Sequence, residues 1–300
     1  MGYVYLLLVA LMFSLGGTSV KMIRPYFGPS MITLMRFAVG VFWLLLLKLI
    51  KRKHFRQDFP SAFRKHWKWL AFGAAAKMAA YTMENIGLSI GVSYGNILTQ
   101  PAQMLLMTVL GVLVLKESMN AWKWSGVGLC ILGIVLISWN GLSLDAFLGD
   151  NLPLTLLYVF SGFCAGLFIF AQKKVADDFD ILDSNLVMFS MASLLAVFVP
   201  LAEGKVLPAT VPDAKCVIAI LYFGFVTGIG FYLNAKAIPL VPCQMVALLQ
   251  STMVLFALVW GVLFFHEPIT GWIGCGALLF VAGIVCINHH GKKHRAVPSV

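Results

Sequence analysis

Charged side chains are scarce in this chain, whose 300 residues are 60% hydrophobic and only 11% charged. A soluble domain carries about 25% charged residues, so this composition cannot cover a surface that faces water. Acidic side chains are the rarer kind, with 12 Asp and Glu against 22 Lys and Arg. The composition therefore excludes an ordinary soluble protein and indicates a chain solvated mainly by lipid.

Motifs that carry chemistry are missing as well. The six cysteines form no CxxC pair, so they predict small buried packing groups rather than disulfides or a metal site. We find no phosphate-binding glycine loop, no metal-ligand set and no nucleophile–base spacing, and expect no cofactor, no metal and no enzymatic activity. The net charge of +10 is explained by loop residues beside anionic headgroups, so we expect no nucleic-acid binding.

Long apolar runs are abundant. A run of about 17–25 residues is long enough to cross roughly 30 Å of hydrocarbon. Because the runs lack period-2 alternation, they predict helices rather than a barrel. The sequence predicts ten spans, at 3–23, 31–50, 69–88, 95–115, 122–140, 152–172, 184–202, 216–236, 242–264 and 270–288.

Lys and Arg residues in the loops predict the orientation of the chain. With the N-terminus in the cytoplasm, the inward loops hold 15 of these residues and the outward loops hold three. We therefore expect a multi-pass membrane protein with both termini in the cytoplasm and the lipid bilayer as its partner. The short loops and the absence of organelle-targeting features predict the cell inner membrane.

An internal repeat is visible at a period near 150 residues. The segment "LKESMNAWKWSGVGLCILGIVLIS" (115–138) aligns without gaps on "FHEPITGWIGCGALLFVAGIVCIN" (265–288). Each unit contains five spans, an odd number, so the second unit must enter the membrane from the opposite side. Inverted repeats are typical of secondary transporters, whose binding site lies near the bilayer midplane between the halves.

These patterns predict an all-α integral membrane fold with ten transmembrane helices arranged as two inverted five-helix repeats. The first repeat is predicted at 1–140 and the second at 152–288. A basic cytoplasmic tail is predicted at 289–300.

The chain also resembles a known family. Each half ends in an acidic residue before "W…G…LxxxGI", and "FSLGGTSVKMIRPYFGPSMITLMRFAVG" (13–40) is similar to a first hairpin of the EamA-like branch of the drug/metabolite transporter superfamily. The resemblance implies a central cavity formed mainly by helices 1, 3, 4, 6, 8 and 9. It also implies a small-molecule substrate, since the family moves amino acids, other small metabolites and drugs.

The third span, "FGAAAKMAAYTMENIG" (72–87), contains two ionisable residues. Lys77, Tyr81 and Glu84 fall within about 60° of one helix face. Lys77 and Glu84 are separated by roughly 10 Å along the axis, so we expect no direct contact between them. A central charge costs about 2.5–3.5 kcal/mol even after relaxation, so each residue needs another partner.

Positive groups outnumber acids inside the spans. Glu84 is the one acidic residue well inside a span, and Lys21 and Arg36 lie toward the same side. Glu84 is expected to pair with Arg36 or Lys21, to meet a substrate ammonium group or to carry a coupling proton, and Arg36 to fasten the first hairpin structurally. Lys77 is then left without a protein anion, which predicts a cavity suited to a carboxylate, although bonding of a deprotonated Lys77 to backbone carbonyls remains an alternative.

Further polar residues are predicted to bind the substrate. Tyr81 and Tyr232 are repeat counterparts, as are Gln100 and Gln250, and the four are expected to orient a ligand. The alternatives are aromatic packing and hydrogen bonds between helices.

Four more positions complete the candidate set. Ser14 and Thr18 form a polar stripe on helix 1 that would line the cavity or pack closely against a neighbouring helix. Glu117 and Glu267 precede helices 5 and 10, where a carboxylate favours the helix N-terminus by roughly 0.3–1 kcal/mol, so their predicted role is structural.

The sequence thus predicts a secondary transporter that exports small carboxylate-bearing metabolites such as amino acids by alternating access. Export of organic cations or drugs, with Glu84 as the attracting charge, is the alternative within transport. A membrane-embedded enzyme or a scaffold is the alternative from another class. The oligomeric state stays open, a monomer included.

Overall fold

The computed structural model describes residues 2–52, 59–115, 121–204, 207–237, 240 and 243–289, with only the backbone described for 104, 108, 111–115, 123, 150, 243–251 and 287–289. This part of the chain consists of helices and short connections and contains no strand. Because lipid offers no hydrogen bonds to the backbone, helices that satisfy their own N–H and C=O groups are the form expected for such apolar segments.

The helices follow one another closely in sequence. They are α1 (Gly2–Ser14), α2 (Gly16–Ile23), α3 (Pro29–Ile50), α4 (Phe59–Ile90), α5 (Thr99–Leu115), α6 (Ala121–Trp139), α7 (Leu144–Ala146), α8 (Leu152–Val175), α9 (Ile181–Glu203), α10 (Ala214–Phe225), α11 (Phe231–Ala237), α12 (Cys243–Phe265) and α13 (Gly271–His289). A 3₁₀ turn at Gly95–Leu98 leads into α5, and π-helical turns occupy Phe147–Asn151 and Val226–Gly230.

Several of these helices are suited to a bilayer. Within the described residues, five segments are long and apolar enough to cross a membrane, namely Gly2–Ile23, Pro29–Ile50, Leu152–Val175, Ile181–Glu203 and Ala214–Ala237. Shorter apolar helices lie at Trp124–Trp139, Thr252–Phe265 and Gly271–Cys286. The prediction of an all-helical membrane protein is confirmed at this level.

The repeat-related helices α6 and α13 pack against each other and run in opposite directions. A Cβ on Gly133 would lie 2.8 Å from the Gly276 carbonyl oxygen, and one on Gly283 would lie 2.7 Å from the Gly126 carbonyl oxygen. The late part of each helix therefore meets the early part of the other. Only glycine permits this backbone approach.

A second repeat-related pair, α3 and α9, is also antiparallel. Ser30 at the start of α3 donates a hydrogen bond of 2.6 Å to Glu203 at the end of α9. Lys48 at the end of α3 pairs with Asp183 at the start of α9 at 2.5 Å. Both ends of this pair are thus joined by polar contacts, while aromatic and aliphatic side chains fill its middle.

The remaining helix contacts recur between the two halves. Helix α4 packs on α8 and α9, while α10 and α11 pack on α3 and α1. Helix α5 packs on α8, and α12 packs on α1. In each of these two pairs of contacts, the helices of the second contact are the repeat counterparts of the helices of the first. The same helix packing therefore occurs in both halves.

Two apolar segments are interrupted near the middle of the bundle. The first breaks at Leu15, where φ is −80° and ψ is 0°. Gly17 follows this break, and a Cβ there would lie 1.7 Å from the Ser93 carbonyl oxygen, so helix α2 touches the turn before α5 through glycine. The second interruption is the π turn Val226–Gly230, a form that appears frequently at functional sites.

The α6–α13 contact predicts an asymmetric response to adding one methyl group. Gly133→Ala should lower the free energy of unfolding by about 1–3 kcal/mol, because the new Cβ meets backbone atoms of α13 that cannot move independently. Gly128→Ala in the same helix is the matched control, since a Cβ there meets nothing within 4 Å. The control should be neutral or stabilise by up to about 1 kcal/mol. Unfolding in detergent followed by circular dichroism measures both, and equal effects would contradict the described packing.

Candidate functional site: a charged cavity inside the helix bundle

A cavity of about 120 Å³ lies inside the bundle, which is room for several water molecules. Its wall is formed by α1, α2, α4, the 3₁₀ turn with α5, α8, the π turn with α11, and α12. These correspond to the helices that the resemblance implies, and Arg36 from α3 is added to them. The polar side chains in the wall include Arg36, Lys77, Tyr81, Glu84, Asn96 and Gln100.

Lys77 is buried in this wall with 4% exposure and is surrounded by aromatic rings. Its Nζ lies 4.2 Å from the ring centroid of Tyr81, 4.4 Å from that of Phe231 and 5.0 Å from that of Phe168. Ring faces attract a cation electrostatically, most strongly where water is excluded. Within the described residues, the ammonium group has no hydrogen-bond acceptor and no carboxylate within 4.0 Å.

Glu84 lies about two turns further along α4 and has a different environment. Its Oε1 is 3.7 Å from Nη1 of Arg36 and accepts a hydrogen bond of 3.4 Å from Nδ2 of Asn96. The sequence left Arg36 and Lys21 open as partners for this carboxylate, and the structure places Arg36 beside it. Among the described residues, the cavity wall therefore contains two cationic side chains and one carboxylate.

Arg36 is fixed by contacts on several sides. Its guanidinium carbon lies 3.2 Å from the ring centroid of Tyr81 and 4.1 Å from that of Phe223. Its Nε donates a hydrogen bond of 2.9 Å to Thr227 in the π turn, whereas Nη1 has no hydrogen-bond partner in the described part of the chain. Arg36 thus contacts α4 and the second half from its position on α3, while its structural role stays a prediction.

Tyr232 was predicted to line the cavity, and the structure corrects this. Tyr232 is buried outside the cavity wall, its hydroxyl accepts a hydrogen bond from Lys51, and the Lys51 ammonium lies 4.2 Å from its ring centroid. The π turn before α11 replaces i→i+4 by i→i+5 hydrogen bonding and changes the helical phase. Tyr81 and Tyr232 therefore face different directions although their positions in the repeat correspond, and Phe231 lines the cavity instead.

Ser14 and Thr18 are likewise absent from the cavity wall. Ser14 Oγ donates to the Leu11 carbonyl oxygen at 2.7 Å and accepts from Trp260 Nε1 at 2.8 Å, so it belongs to the packing of α1 against α12. The stripe predicted on one continuous helix does not persist, because α1 ends at Ser14 and α2 begins at Gly16. The packing alternative applies to Ser14.

The two glutamines predicted to bind the substrate lie on α5 and α12. Gln100 lines the cavity beside Thr99 and Gln103 of α5, as expected. The side chain of Gln250 lies outside the described residues, although its backbone belongs to α12.

Glu267 connects the two halves at one end of the bundle. It accepts hydrogen bonds from the Ser93 backbone N–H at 2.8 and 2.9 Å and from Ser93 Oγ at 2.6 Å. Lys21 Nζ lies 3.9 Å from Glu267 and donates to the Gly91 carbonyl oxygen. These contacts lie at the turn before α5, whereas the structural role predicted for Glu267 was at the start of the tenth helix. Glu117 lies outside the described residues.

A second polar cluster lies at the other end of α4. Asp178 in the α8–α9 turn accepts a hydrogen bond of 2.7 Å from Lys65 and lies 2.5 Å from His66 Nε2. These hydrogen bonds hold the pKa of the Asp178 carboxyl below its ordinary value. Because the pKa is depressed on folding, the resulting stabilisation is present above the unfolded pKa and is lost as the pH falls through the lower folded value.

Asn96 is a cavity residue that the sequence analysis did not select. It lies in the 3₁₀ turn at the start of the predicted fourth span, where a polar residue is readily interpreted as part of a loop. The signal was present nevertheless, since Asn96, Gln100 and Gln103 follow at the i, i+4, i+7 spacing of one helix face.

A helical membrane chain with a charged cavity inside its helix bundle has an architecture expected of a membrane transporter. The chain belongs to the EamA-like transporter family, whose model matches residues 1–139 and 153–289. The resemblance inferred from the sequence is therefore confirmed.

Solved structures share the fold. Among 21 matching chains, one described as "Crystal structure of protein" has a TM-score of 0.66 at 15% identity, and the match covers 96% of each chain. No curated protein sequence matches. The structural likeness concerns the fold alone.

The Arg36–Glu84 contact predicts strong coupling between the two residues. Arg36→Met should lower the free energy of unfolding by about 3–5 kcal/mol, because it leaves a buried carboxylate unpaired. Adding Glu84→Gln should recover part of that loss. Unfolding of the two single variants and the double variant in detergent gives the coupling energy, expected at about 0.5–3 kcal/mol. Additive losses would show that the two side chains do not depend on each other.

Proposed function

We propose that this EamA-family protein is a secondary transporter that exports small carboxylate-bearing metabolites such as amino acids. The observation that carries the proposal is Lys77, a buried cation in the cavity wall with no carboxylate beside it among the described residues. A buried charge without a counter-ion is costly in hydrocarbon. A substrate carboxylate supplies that counter-ion.

Glu84 adds a negatively charged group to the cavity wall that also contains Lys77. Glu84 lines the same cavity, and its direct charged neighbour is Arg36 at 3.7 Å, too long for a hydrogen bond. A substrate ammonium group can therefore approach Glu84, or a proton can bind there and couple transport to a gradient. A zwitterion placed between Lys77 and Glu84 satisfies both ends of the site.

Alternating access is the proposed mechanism, with ten spans in two inverted halves. The antiparallel course of α6 against α13 and of α3 against α9 supports the inverted arrangement. The Glu267–Ser93 hydrogen bonds close one end of the bundle and must break for the cavity to open there. Basic loops support cytoplasmic termini in a cell inner membrane.

Export of organic cations is a second candidate, because three ring faces surround one point of the cavity. The Lys77 ammonium already occupies that point. A cationic substrate would have to displace it or meet its repulsion, so the observed geometry favours a carboxylate.

Lys77→Ala should abolish exchange of amino acids by purified protein in liposomes, because the substrate carboxylate loses its counter-ion. Uptake of labelled amino acids into amino-acid-loaded vesicles measures this, and we expect a loss of at least about tenfold. Lys68→Ala on the exposed side of the same helix is the matched control and should leave exchange unchanged. Full activity of the Lys77 variant would remove this residue from the mechanism.

The Glu84→Gln variant distinguishes transport of an organic cation from transport of an amino acid. If the cargo is an organic cation, this variant loses transport while Lys77→Ala keeps or gains it, because Glu84 is then the attracting charge. If the cargo is an amino acid, both variants lose transport, and a deaminated acid remains a ligand of Glu84→Gln. Competition against labelled substrate in the same vesicles distinguishes these outcomes.

A further inference from the structure

We infer that Asn96 is a specificity-determining residue that selects substrates whose ammonium group carries N–H donors. The inference rests on the proposed function and adds to it a residue and a selection rule. It distinguishes primary amines from quaternary ammonium compounds and from acids without nitrogen.

The orientation of the Asn96 amide follows from its neighbour. Nδ2 lies 3.4 Å from Glu84 Oε1, and an ionised carboxylate can only accept a hydrogen bond, so the NH₂ group must face Glu84. The carbonyl oxygen Oδ1 then points away from Glu84. It is buried and has no hydrogen-bond partner in the described part of the chain.

An unpaired carbonyl oxygen inside a protein is unfavourable, and the great majority of such atoms have a partner. Asn96 is 3% exposed and lines the cavity, so a bound molecule can supply the missing donor there. The same molecule reaches Glu84, because both residues share one part of the wall. A primary ammonium group has three N–H donors, enough for Glu84 and Asn96 together.

The backbone holds Asn96 in place for this role. The residue belongs to the 3₁₀ turn Gly95–Leu98, and Thr99 Oγ1 donates a hydrogen bond of 2.7 Å to the Asn96 carbonyl oxygen. Helix α2 lies beside the same amide, since a Cβ added at Gly16 would lie 4.0 Å from Asn96 Nδ2, an ordinary van der Waals contact. A fixed acceptor discriminates between ligands better than a mobile one, because little freedom is lost on binding.

Asn85 provides a matched control. It is fully buried on α4 one residue after Glu84, it donates a hydrogen bond of 2.8 Å to Thr33, and its Oδ1 also lacks a partner in the described residues. Unlike Asn96, Asn85 does not line the cavity. Asn85→Leu therefore reports the effect of removing a buried amide without touching the site.

The test uses full-length protein in detergent. Thermal-shift titration with the standard L-amino acids identifies the one that binds best, and calorimetry compares it with its deaminated acid and its N-trimethyl derivative. The wild type should bind the amino acid at least about tenfold more tightly than either analogue. Asn96→Leu should remove most of that ratio by weakening the amino acid alone, Asn96→Asp should retain it, and Asn85→Leu should leave it unchanged.

The test distinguishes failure of the Asn96 inference from failure of the proposed function. If the wild type binds an amino acid and Asn96→Leu preserves the ratio, Asn96 does not select the ammonium group while the proposed function stands. If the wild type binds none of the amino acids, both the proposed function and this inference are wrong. Because the readout is a ratio of affinities within one variant, partial loss of folded protein does not change it.

Discussion

An ionised side chain is stable at the depth of the hydrocarbon only where protein groups replace the water that would otherwise solvate it. Helix α4 depends on this condition, because Lys77 and Glu84 both lie among its buried residues. The protein meets it in two ways, with ring faces around the Lys77 ammonium and with Arg36 and Asn96 beside the Glu84 carboxylate. Helices from both halves must come together to supply these groups, so the charges require the assembled bundle.

Arg36 contacts both Glu84 in the cavity wall and Thr227 in the π turn of the second half. Its guanidinium group stacks on Tyr81 and Phe223, approaches Glu84 and bonds Thr227 within the π turn. A π turn differs from regular helix by the hydrogen bonds of a few residues. Arg36 therefore connects Glu84 through direct contacts to the π turn that precedes Phe231.

The sequence predicted features that depend on composition and period, and it missed those that depend on local breaks in a helix. Apolar length identified the helices, and the charge inventory identified Arg36 as a candidate partner of Glu84. Tyr232 was misplaced because a π turn, invisible in the residue pattern, shifts the phase before it. Ser14 was misplaced for the same kind of reason, since the helix restarts after Leu15. Identical spacing gives identical direction only along an uninterrupted helix.

The cavity also shows that a repeated backbone need not carry a repeated chemistry. Gln103 in α5 lines the wall, and its counterpart one repeat later is Met253, which lines the opposite part. Polar residues come mainly from α4 and α5, whereas α1 and α12 contribute apolar ones. The two halves therefore share their helix packing and differ in the side chains that line the cavity. A side chain between two packed helices is limited in size by its neighbours, whereas a side chain in the cavity wall is not, so the lining can diverge while the fold is kept.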